Sequence, residues 1–284
     1  MIIVVVGPTG VGKTKMSIEL AKKYNGIVIN ADSMQVYKDL NIGTAKITEE
    51  EKEGIKHYLF DIVNPSDMFT VFDYQKKVRT LLEDNKGKNI ILVGGTGLYI
   101  KAALFDYEFK EENESLEYNE LSNEELFNRV KEKYPDADIH VNNRKRLVRY
   151  LNRDNDSNKG NNQIYDAVFI GLTTDRKTLY ERINKRVDKM FEDGLLDEVK
   201  ALYDRNISGK AINTGIGYKE LYEYFDGKLS LEEAKDLIKK RSRHYAKRQY
   251  TWFNNQMNIN WFEVDFDDFS QTVNKVINFI DNNS

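Results

Sequence analysis

Short runs of hydrophobic residues alternate along the chain with segments that repeat hydrophobic positions every three or four residues. The first run, residues 2–6 (IIVVV), is continuous and β-branched, which predicts a strand buried on both faces of a parallel sheet. Helical spacing follows in residues 13–24, where Met16, Leu20 and Tyr24 fall on one face. This succession of strand and helix predicts an α/β fold, with a parallel sheet flanked by helices.

The same alternation continues along most of the chain. Further strands are predicted at the hydrophobic runs 26–30, 57–62, 89–93, 166–172 and 259–264, and further helices at 72–82, 98–104, 177–191 and 231–252. Residues 105–163 lack a strand signal and carry two short helical patterns, at 122–134 and 143–151. We therefore predict a core of residues 1–104 and 164–284, interrupted by a helical insertion of residues 105–163.

Composition restricts the chemistry that this chain can carry out. Its 284 residues include no cysteine, which excludes a disulfide framework, a thiolate zinc site and cysteine catalysis. The hydrophobic run at residues 1–6 is far shorter than a membrane span, and no cationic segment precedes it. We expect a cytoplasmic protein with no membrane partner.

The charge pattern bears on a nucleic-acid partner. The formal net charge of −3 argues against one by itself, because phosphate binding requires lysine and arginine. The charge is uneven, however: nine acidic residues and one lysine lie between positions 106 and 125, whereas residues 139–153 and 239–250 contain basic residues and no acid. Such basic clusters are either solvated helix faces or surfaces that bind phosphates.

The most specific motif joins the first predicted strand to the first helix, where GPTGVGKT matches the pattern G-x-x-x-x-G-K-[ST]. Its residues are Gly7, Pro8, Thr9, Gly10, Val11, Gly12, Lys13 and Thr14. The backbone N–H groups of such a loop hold phosphate oxygens at a helix N-terminus, the lysine adds positive charge, and the threonine hydroxyl can bind Mg²⁺. The motif predicts a phosphate or diphosphate site with Mg²⁺.

A single carboxylate near this loop suggests the type of reaction. Hydrolytic P-loop proteins carry an acid after a second hydrophobic strand, but here the run 90–93 ends in GGTG. Asp32 instead follows the strand 26–30, and the carboxyl ends of parallel strands share one edge with the P-loop. Asp32 can therefore take a proton from the nucleophile that receives the transferred group, which favours a transferase. The alternative is a carboxylate that only caps a turn.

Several longer segments resemble those of a known protein family. They are GPTGVGKT (7–14), ADSMQVYKDLNIGTAK (31–46), HYLFDIV (57–63), LVGGTGLYIKAAL (92–104), IGYKE (216–220) and YAKRQYTWF (245–253). The chain resembles the bacterial tRNA dimethylallyltransferases (tRNA isopentenyltransferases), which have a P-loop core and a helical insertion that grips the anticodon arm. The resemblance implies transfer of a dimethylallyl group from dimethylallyl diphosphate to N6 of adenosine 37, in tRNAs that read codons starting with U, with release of diphosphate.

The resemblance also implies roles for the residues around the loop. Asp32 would take the proton of the attacking amine, while Lys13, Thr14 with Mg²⁺ and Arg186 would neutralise the departing diphosphate. Arg182 lies on the same helical stripe as Arg186 and would join it in diphosphate binding. The sequence alone leaves open that both arginines are ordinary surface charges.

The tRNA contacts that the resemblance implies fall in several segments. The implied residues are Asp32, Ser33, Met34, Gln35, Thr96, Lys145, Arg146, Leu147, Val148, Arg149, Thr214, Gly215, Ile216, Gly217, Tyr218, Lys219, Lys247 and Arg248. Lys145 stands where the family has glutamine, which adds charge, and Gly215 where alanine is common. The expected partners are the tRNA anticodon stem-loop and dimethylallyl diphosphate, and the expected state is a monomer.

Two other activities remain open at this point. A prenyltransferase acting on free adenine nucleotides would not need the insertion or its arginine cluster. A small-molecule P-loop kinase would not need the IGTAK segment (42–46) or the basic helix near the C-terminus.

Overall fold

The computed structural model describes residues 1–109, 118, 120–137, 139–152 and 160–283, and only the backbone of Arg149. The chain forms two compact units. The first is Met1–Phe105 with Ile164–Ser284, and the second is Asp106–Gln163. The acidic stretch predicted at 106–125 falls partly outside the described residues, at 110–117 and 119.

A parallel sheet forms the centre of the first unit. Its strands are β1 (Ile2–Val6), β2 (Ile27–Asn30), β3 (His57–Tyr58), β4 (Ile90–Val93), β5 (Ala167–Thr173) and β6 (Asn260–Glu263), in the spatial order β3-β2-β4-β1-β5-β6. The central strand β1 pairs with β4 and β5, so that Val4 lies opposite Leu92 and Phe169. Because side chains alternate along a strand, Val4 enters one hydrophobic core and Val5 enters the other.

Helices cover both faces of the sheet. In chain order they are α1 (Lys13–Tyr24), α2 (Val71–Asp84), α3 (Gly97–Leu104), α4 (Asn123–Lys133), α5 (Arg144–Leu151), α6 (Arg176–Glu192), α7 (Leu195–Asp204), α8 (Lys210–Thr214), α9 (Tyr218–Phe225), α10 (Leu231–Gln256) and α11 (Phe269–Asn282). Helices α4 and α5 belong to the second unit, and the others belong to the first. Among the described residues, no helix is both long and apolar enough to span a bilayer.

The second unit has a small core of its own. Helix α4 begins with a capping box, in which Ser122 and Glu125 satisfy each other's backbone N–H groups. The guanidinium of Arg144 donates hydrogen bonds of 2.6 Å to the carbonyl oxygens of both Tyr118 and Leu121. The buried side chains that α4 and α5 share with the connecting segment are Leu126, Val130, Ala137, Ile139 and Leu147.

The predicted order of strands and helices is confirmed, with two differences. The third strand, predicted at 57–62, ends at Tyr58 because Leu59 (φ 65°) and Asp61 (φ 54°) adopt left-handed backbone conformations that interrupt a ladder. Helices α7, α8, α9 and α11 were not predicted. Helix α11 does carry a local signal, because its buried residues Phe269, Val273, Val276 and Ile280 recur at helical spacing.

Candidate active site

A cleft of about 630 Å³ opens in the first unit beside the ends of the parallel strands. Its walls come from the loop after β1, the turn after β2, the loop after β4, and helices α6 and α10. Residues 43–45 and 214–218 close the remaining sides. The P-loop (residues 7–14) and Asp32, which the sequence predicts at one edge of the sheet, both line this cleft.

Glycine is required at two positions of the P-loop. A Cβ atom at Gly7 (φ 141°) would lie 2.5 Å from the carbonyl oxygen of Leu172, and one at Gly12 (φ 96°) would lie 2.8 Å from the ring of Phe269. Without these side chains the loop can curl tightly into α1, where the first N–H groups have no intrahelical acceptor. The side chain of Val11 is buried, so this residue offers the cleft only its backbone.

Lys13 folds back over the loop. Its ammonium donates hydrogen bonds to the carbonyl oxygens of Gly7 (3.0 Å) and Pro8 (2.8 Å). Burial lowers the pKa of Lys13 to about 7; the carboxylate of Asp32 opposes this shift, and the positive charge of Arg186 adds to it. A bound anion would favour the charged form, so the site gains affinity for phosphate by taking up a proton.

The first turn of α1 fits a magnesium ion held mainly by substrate. Thr14 is exposed, and its hydroxyl stands at the helix N-terminus, while its carbonyl oxygen accepts a 2.7 Å hydrogen bond from the Ser17 hydroxyl. Mg²⁺ typically takes few protein oxygens and fills its coordination shell with phosphates and water. Within the described ranges, no group of three or more His, Cys, Asp or Glu side chains is arranged to hold a metal.

Asp32 sits in a turn that buried groups hold in place. Its N–H donates to Oδ1 of the buried Asn30 (2.9 Å), and the Asn30 carbonyl oxygen accepts a 2.9 Å bond from the Tyr74 hydroxyl. Oδ1 of Asp32 accepts from the N–H of Met34 (2.9 Å), so this oxygen caps the turn. Oδ2 lies near the backbone of Gly95, where a Cβ would be 3.9 Å away. The carboxylate thus caps a turn and lines the cleft at the same time.

The residues after Asp32 connect three loops around the cleft. The N–H of Ser33 donates to the hydroxyl oxygen of Thr96 (3.0 Å), which joins the β2 turn to the loop after β4. The Gln35 amide donates to the carbonyl oxygens of Thr44 (3.0 Å) and Ala45 (3.2 Å). These hydrogen bonds hold the β2 turn against the loop after β4 and against residues 44–45, which form neighbouring walls of the cleft.

The two arginines of α6 reach opposite sides of the cleft. Arg186 is half-buried, and its guanidinium donates to the carbonyl oxygen of Thr44 at 3.3 Å. Arg182 donates through Nε to the carbonyl oxygen of Gly10 (3.0 Å) and lies 3.7 Å from the ring centroid of Phe266. Burial lowers the pKa of both guanidiniums, and at Arg186 the charge of Asp32 acts in the opposite direction.

The predicted tRNA residues run from the end of α8 to the start of α9; they are Thr214, Gly215, Ile216, Gly217, Tyr218 and Lys219, and all except Lys219 line the cleft. The side chain of Tyr218 is fully buried and donates a 2.7 Å hydrogen bond to Glu198. The same carboxylate accepts from the N–H groups of Asn41, Ile42 and Gly43, at 3.0, 2.7 and 3.1 Å. Glu198, which the sequence did not identify, therefore anchors residues 41–43. The next residue, Thr44, accepts the hydrogen bond from Arg186.

Helix α10 contributes a buried polar residue that the sequence did not identify. The sequence groups Gln249 with the basic residues Lys247 and Arg248, yet Gln249 is buried whereas Lys247 and Arg248 are exposed. Both Gln249 and Arg248 line the cleft. The signal was present in the helical spacing, because Gln249 falls one turn after Tyr245 and one turn before the buried Phe253. Burial raises the pKa of Tyr245, and the nearby charge of Asp32 adds to the shift.

Comparison with known proteins identifies the family. The family model described as IPP transferase matches residues 35–256. This chain belongs to that family. The tRNA dimethylallyltransferase of Anoxybacillus flavithermus is 46% identical over 99% of this chain and 96% of its own length. That of Bacillus subtilis is 47% identical over 93% of this chain and 90% of its own.

Solved structures of IPP transferases have the same fold. The tRNA isopentenylpyrophosphate transferase of Bacillus halodurans matches with a TM-score of 0.77 and 44% identity, over 99% of this chain and 95% of that one. A eukaryotic dimethylallyltransferase, described as acting on tRNA, matches with a TM-score of 0.80 and 30% identity, over 99% of this chain and 79% of that one. The predicted family and the predicted α/β fold are confirmed.

The second unit of this IPP transferase carries the other predicted tRNA residues, on α5. Lys145 and Arg146 are exposed, Val148 is half-buried, and the side chain of Arg149 lies outside the described part of the structure. Leu147 is fully buried against Leu126 and Val130. The side chains of Leu147 and Tyr218 are fully buried, so the tRNA contacts predicted at these two residues, which stay predictions, would involve their backbones.

Proposed function

We propose that this chain transfers a dimethylallyl group from dimethylallyl diphosphate to N6 of adenosine 37 in tRNAs that read codons starting with U, and releases diphosphate. The observation that carries the proposal is the cleft in which a phosphate-binding loop, two arginines and one carboxylate meet. The relatives of this chain, named tRNA dimethylallyltransferases, supply the identity of the transferred group and of the acceptor.

The P-loop and the arginines bind the donor. The N–H groups at the start of α1 receive the diphosphate oxygens, and Lys13 turns from its own loop carbonyls towards them. Arg186 and Arg182 add charge from the α6 side of the cleft. These groups are aimed at the leaving diphosphate, whose charge rises as the C–O bond breaks, so they stabilise the transition state more than the ground state.

Thr14 would hold Mg²⁺ through its hydroxyl. When bound, the ion neutralises part of the diphosphate charge. The exposed position of Thr14 at the N-terminus of α1, beside the phosphate-binding N–H groups, fits this role.

Asp32 acts as the general base. The N6 amine of adenine is a weak nucleophile because its lone pair is delocalised into the ring. As the bond from N6 to the allylic carbon forms and the bond from that carbon to the diphosphate oxygen breaks, one N6 proton passes to the carboxylate of Asp32. Asn30 accepts from the backbone N–H of Asp32, and the N–H of Met34 donates to its carboxylate, so the base is held at the cleft wall and the entropic cost of reaching the reactive geometry is lower.

The tRNA contacts come from both units. In the first unit we assign them to residues 32–35, Thr96, residues 214–219, Lys247 and Arg248, and in the second unit to residues 145–149. We further propose that the insertion, residues 105–163, contacts the anticodon arm. The exposed Lys145 and Arg146 would bind phosphates there, which fixes the position of the RNA without reading its sequence.

A transfer assay tests the proposal against the two other activities. The protein is mixed with Mg²⁺, labelled dimethylallyl diphosphate, and either unmodified tRNA or AMP. We expect label in tRNA, and none in a matched tRNA that carries guanosine at position 37. Label in AMP would support the free-nucleotide enzyme instead. Consumption of ATP on a small alcohol, without prenyl transfer, would support the kinase.

A further inference from the structure

Gln249 bridges two loops of the cleft with both ends of its side-chain amide. Oε1 accepts a 2.9 Å hydrogen bond from the N–H of Thr9, and Nε2 donates a 3.0 Å hydrogen bond to the carbonyl oxygen of Gly95. The side chain is 4% exposed. The amide orientation is forced, because a backbone N–H can only donate and a carbonyl oxygen can only accept.

The surroundings hold this amide in place. A Cβ atom at Gly95 would lie 2.1 Å from Nε2, so only glycine allows the close approach of the amide to this backbone. Gln249 also belongs to a 26-residue helix and is followed one turn later by the fully buried Phe253. Swinging the amide away would leave the Thr9 N–H and the Gly95 carbonyl oxygen without these partners, which is costly for polar groups in a closed site.

The bridge changes what the P-loop can bind. The N–H groups from Val11 to Thr14 at the start of α1 remain for a ligand, whereas the N–H of Thr9, nearer the beginning of the loop, already has an acceptor. A triphosphate would place its first two phosphates at the helix N-terminus and extend along the loop. Its third phosphate would then need the N–H of Thr9 as a hydrogen-bond donor. The carboxamide of Gln249 occupies that position.

We propose that Gln249 restricts the P-loop to a diphosphate and excludes a triphosphate. The inference rests on the proposed function, since it takes the bound ligand to be an allylic diphosphate. Gln249 is thus a specificity-determining residue: it shortens the phosphate site by one backbone donor and fills the space beside it.

Calorimetric titration with inorganic pyrophosphate and inorganic tripolyphosphate, both with Mg²⁺, tests the proposal. We expect the wild-type protein to bind pyrophosphate at least about tenfold more tightly, because tripolyphosphate would have to displace a hydrogen-bonded buried amide. In Gln249→Ala, which frees the Thr9 N–H and opens the space, we expect this preference to shrink to within about threefold. Asn254→Ala, which removes an exposed amide on the same helix, should keep the wild-type preference.

A second variant separates the effect of freeing the Thr9 N–H from the effect of removing the volume of the Gln249 side chain. Gln249→Met frees the Thr9 N–H but keeps a side chain of similar length, so it should still exclude tripolyphosphate. Melting curves of each variant establish that it is folded. If the wild type binds the two anions equally, or if folded Gln249→Ala keeps the wild-type preference, the proposal is overturned. Failure of the proposed function looks different: wild type would then not transfer label to tRNA, whatever its preference between the two anions.

Discussion

The guanidinium of Arg186 donates a hydrogen bond of 3.3 Å to the backbone carbonyl oxygen of Thr44. Thr44 follows three residues whose N–H groups all donate to the carboxylate of Glu198. The arginine proposed to bind the leaving diphosphate is therefore oriented by a loop that a carboxylate on another helix holds in place. Two of the predictions below follow from this arrangement.

Replacing Arg186 by lysine should weaken catalysis more than the same change at Arg182. Lysine keeps the charge but loses the planar donor array, so we expect Arg186→Lys to lower kcat/KM for dimethylallyl diphosphate by about 10- to 100-fold. Arg182 is more exposed, and Arg182→Lys should cost about threefold. Steady-state prenyl transfer to tRNA measures both. Equal losses in the two variants would contradict the assignment of Arg186 as the principal diphosphate ligand.

Glu198 should contribute to stability because its carboxylate accepts four hydrogen bonds. Glu198→Gln replaces one acceptor oxygen with a donor that faces backbone N–H groups, so we expect the free energy of unfolding to fall by about 2 kcal/mol. Tyr218→Phe, which removes a single donor to Glu198, should cost about 1 kcal/mol. Urea denaturation measures these values. Glu181→Gln, on the exposed face of α6, serves as the control and should stay within about 0.5 kcal/mol of wild type.

Removing the basic oxygen of Asp32 should stop transfer without preventing RNA binding. Asparagine can still accept the hydrogen bond from the Met34 N–H, so Asp32→Asn should keep the turn intact. We expect kcat to fall by about 100- to 10,000-fold, the usual contribution of a general base. Filter binding should show a tRNA Kd within about tenfold of wild type. Unchanged turnover would rule out Asp32 as the base.

The lowered pKa of Lys13 predicts a pH-dependent affinity for pyrophosphate. In the free protein its pKa is about 7, and a bound anion raises it, so the ammonium is charged below pH 7 and must take up a proton for binding above pH 7. Affinity should therefore fall as the pH rises from 7 towards 9.

Lys13→Arg provides the control for this experiment, because arginine stays charged over the whole range. The ratio of wild-type to Lys13→Arg affinity, measured calorimetrically at each pH, also cancels the ionisation of pyrophosphate itself. A ratio that does not change between pH 6 and pH 9 would show that Lys13 does not titrate there.

The exposed basic residues of α5 should contribute phosphate contacts. Arg146→Ala should weaken tRNA binding and reduce the slope of log K against log salt by about one, because one counterion fewer is released. Arg205→Ala serves as the control, since Arg205 forms an ion pair with Asp39 in the first unit (3.2 Å). If both variants have the wild-type slope, α5 does not bind the RNA backbone.

The sequence by itself determined the features that depend on neighbours along the chain. The continuous run at β1, the helical spacing of α1 and the GPTGVGKT motif are local patterns, and they predicted a parallel sheet with a phosphate site after its first strand. The position of Asp32 beside that site also followed, because the ends of parallel strands share one edge. The longer sequence motifs also identified the family.

Only the tertiary structure decided which polar side chains complete the cleft. Thr9 and Gln249 are 240 positions apart, and Gly43 and Glu198 are 155 apart. No local periodicity encodes such pairs, because they form only when the sheet and helices pack together. In the sequence Gln249 stands in a basic stretch and Tyr218 in a segment where the resemblance implies tRNA contacts. Burial, which is a property of the packed fold, gives each of them a hydrogen-bond partner inside the protein.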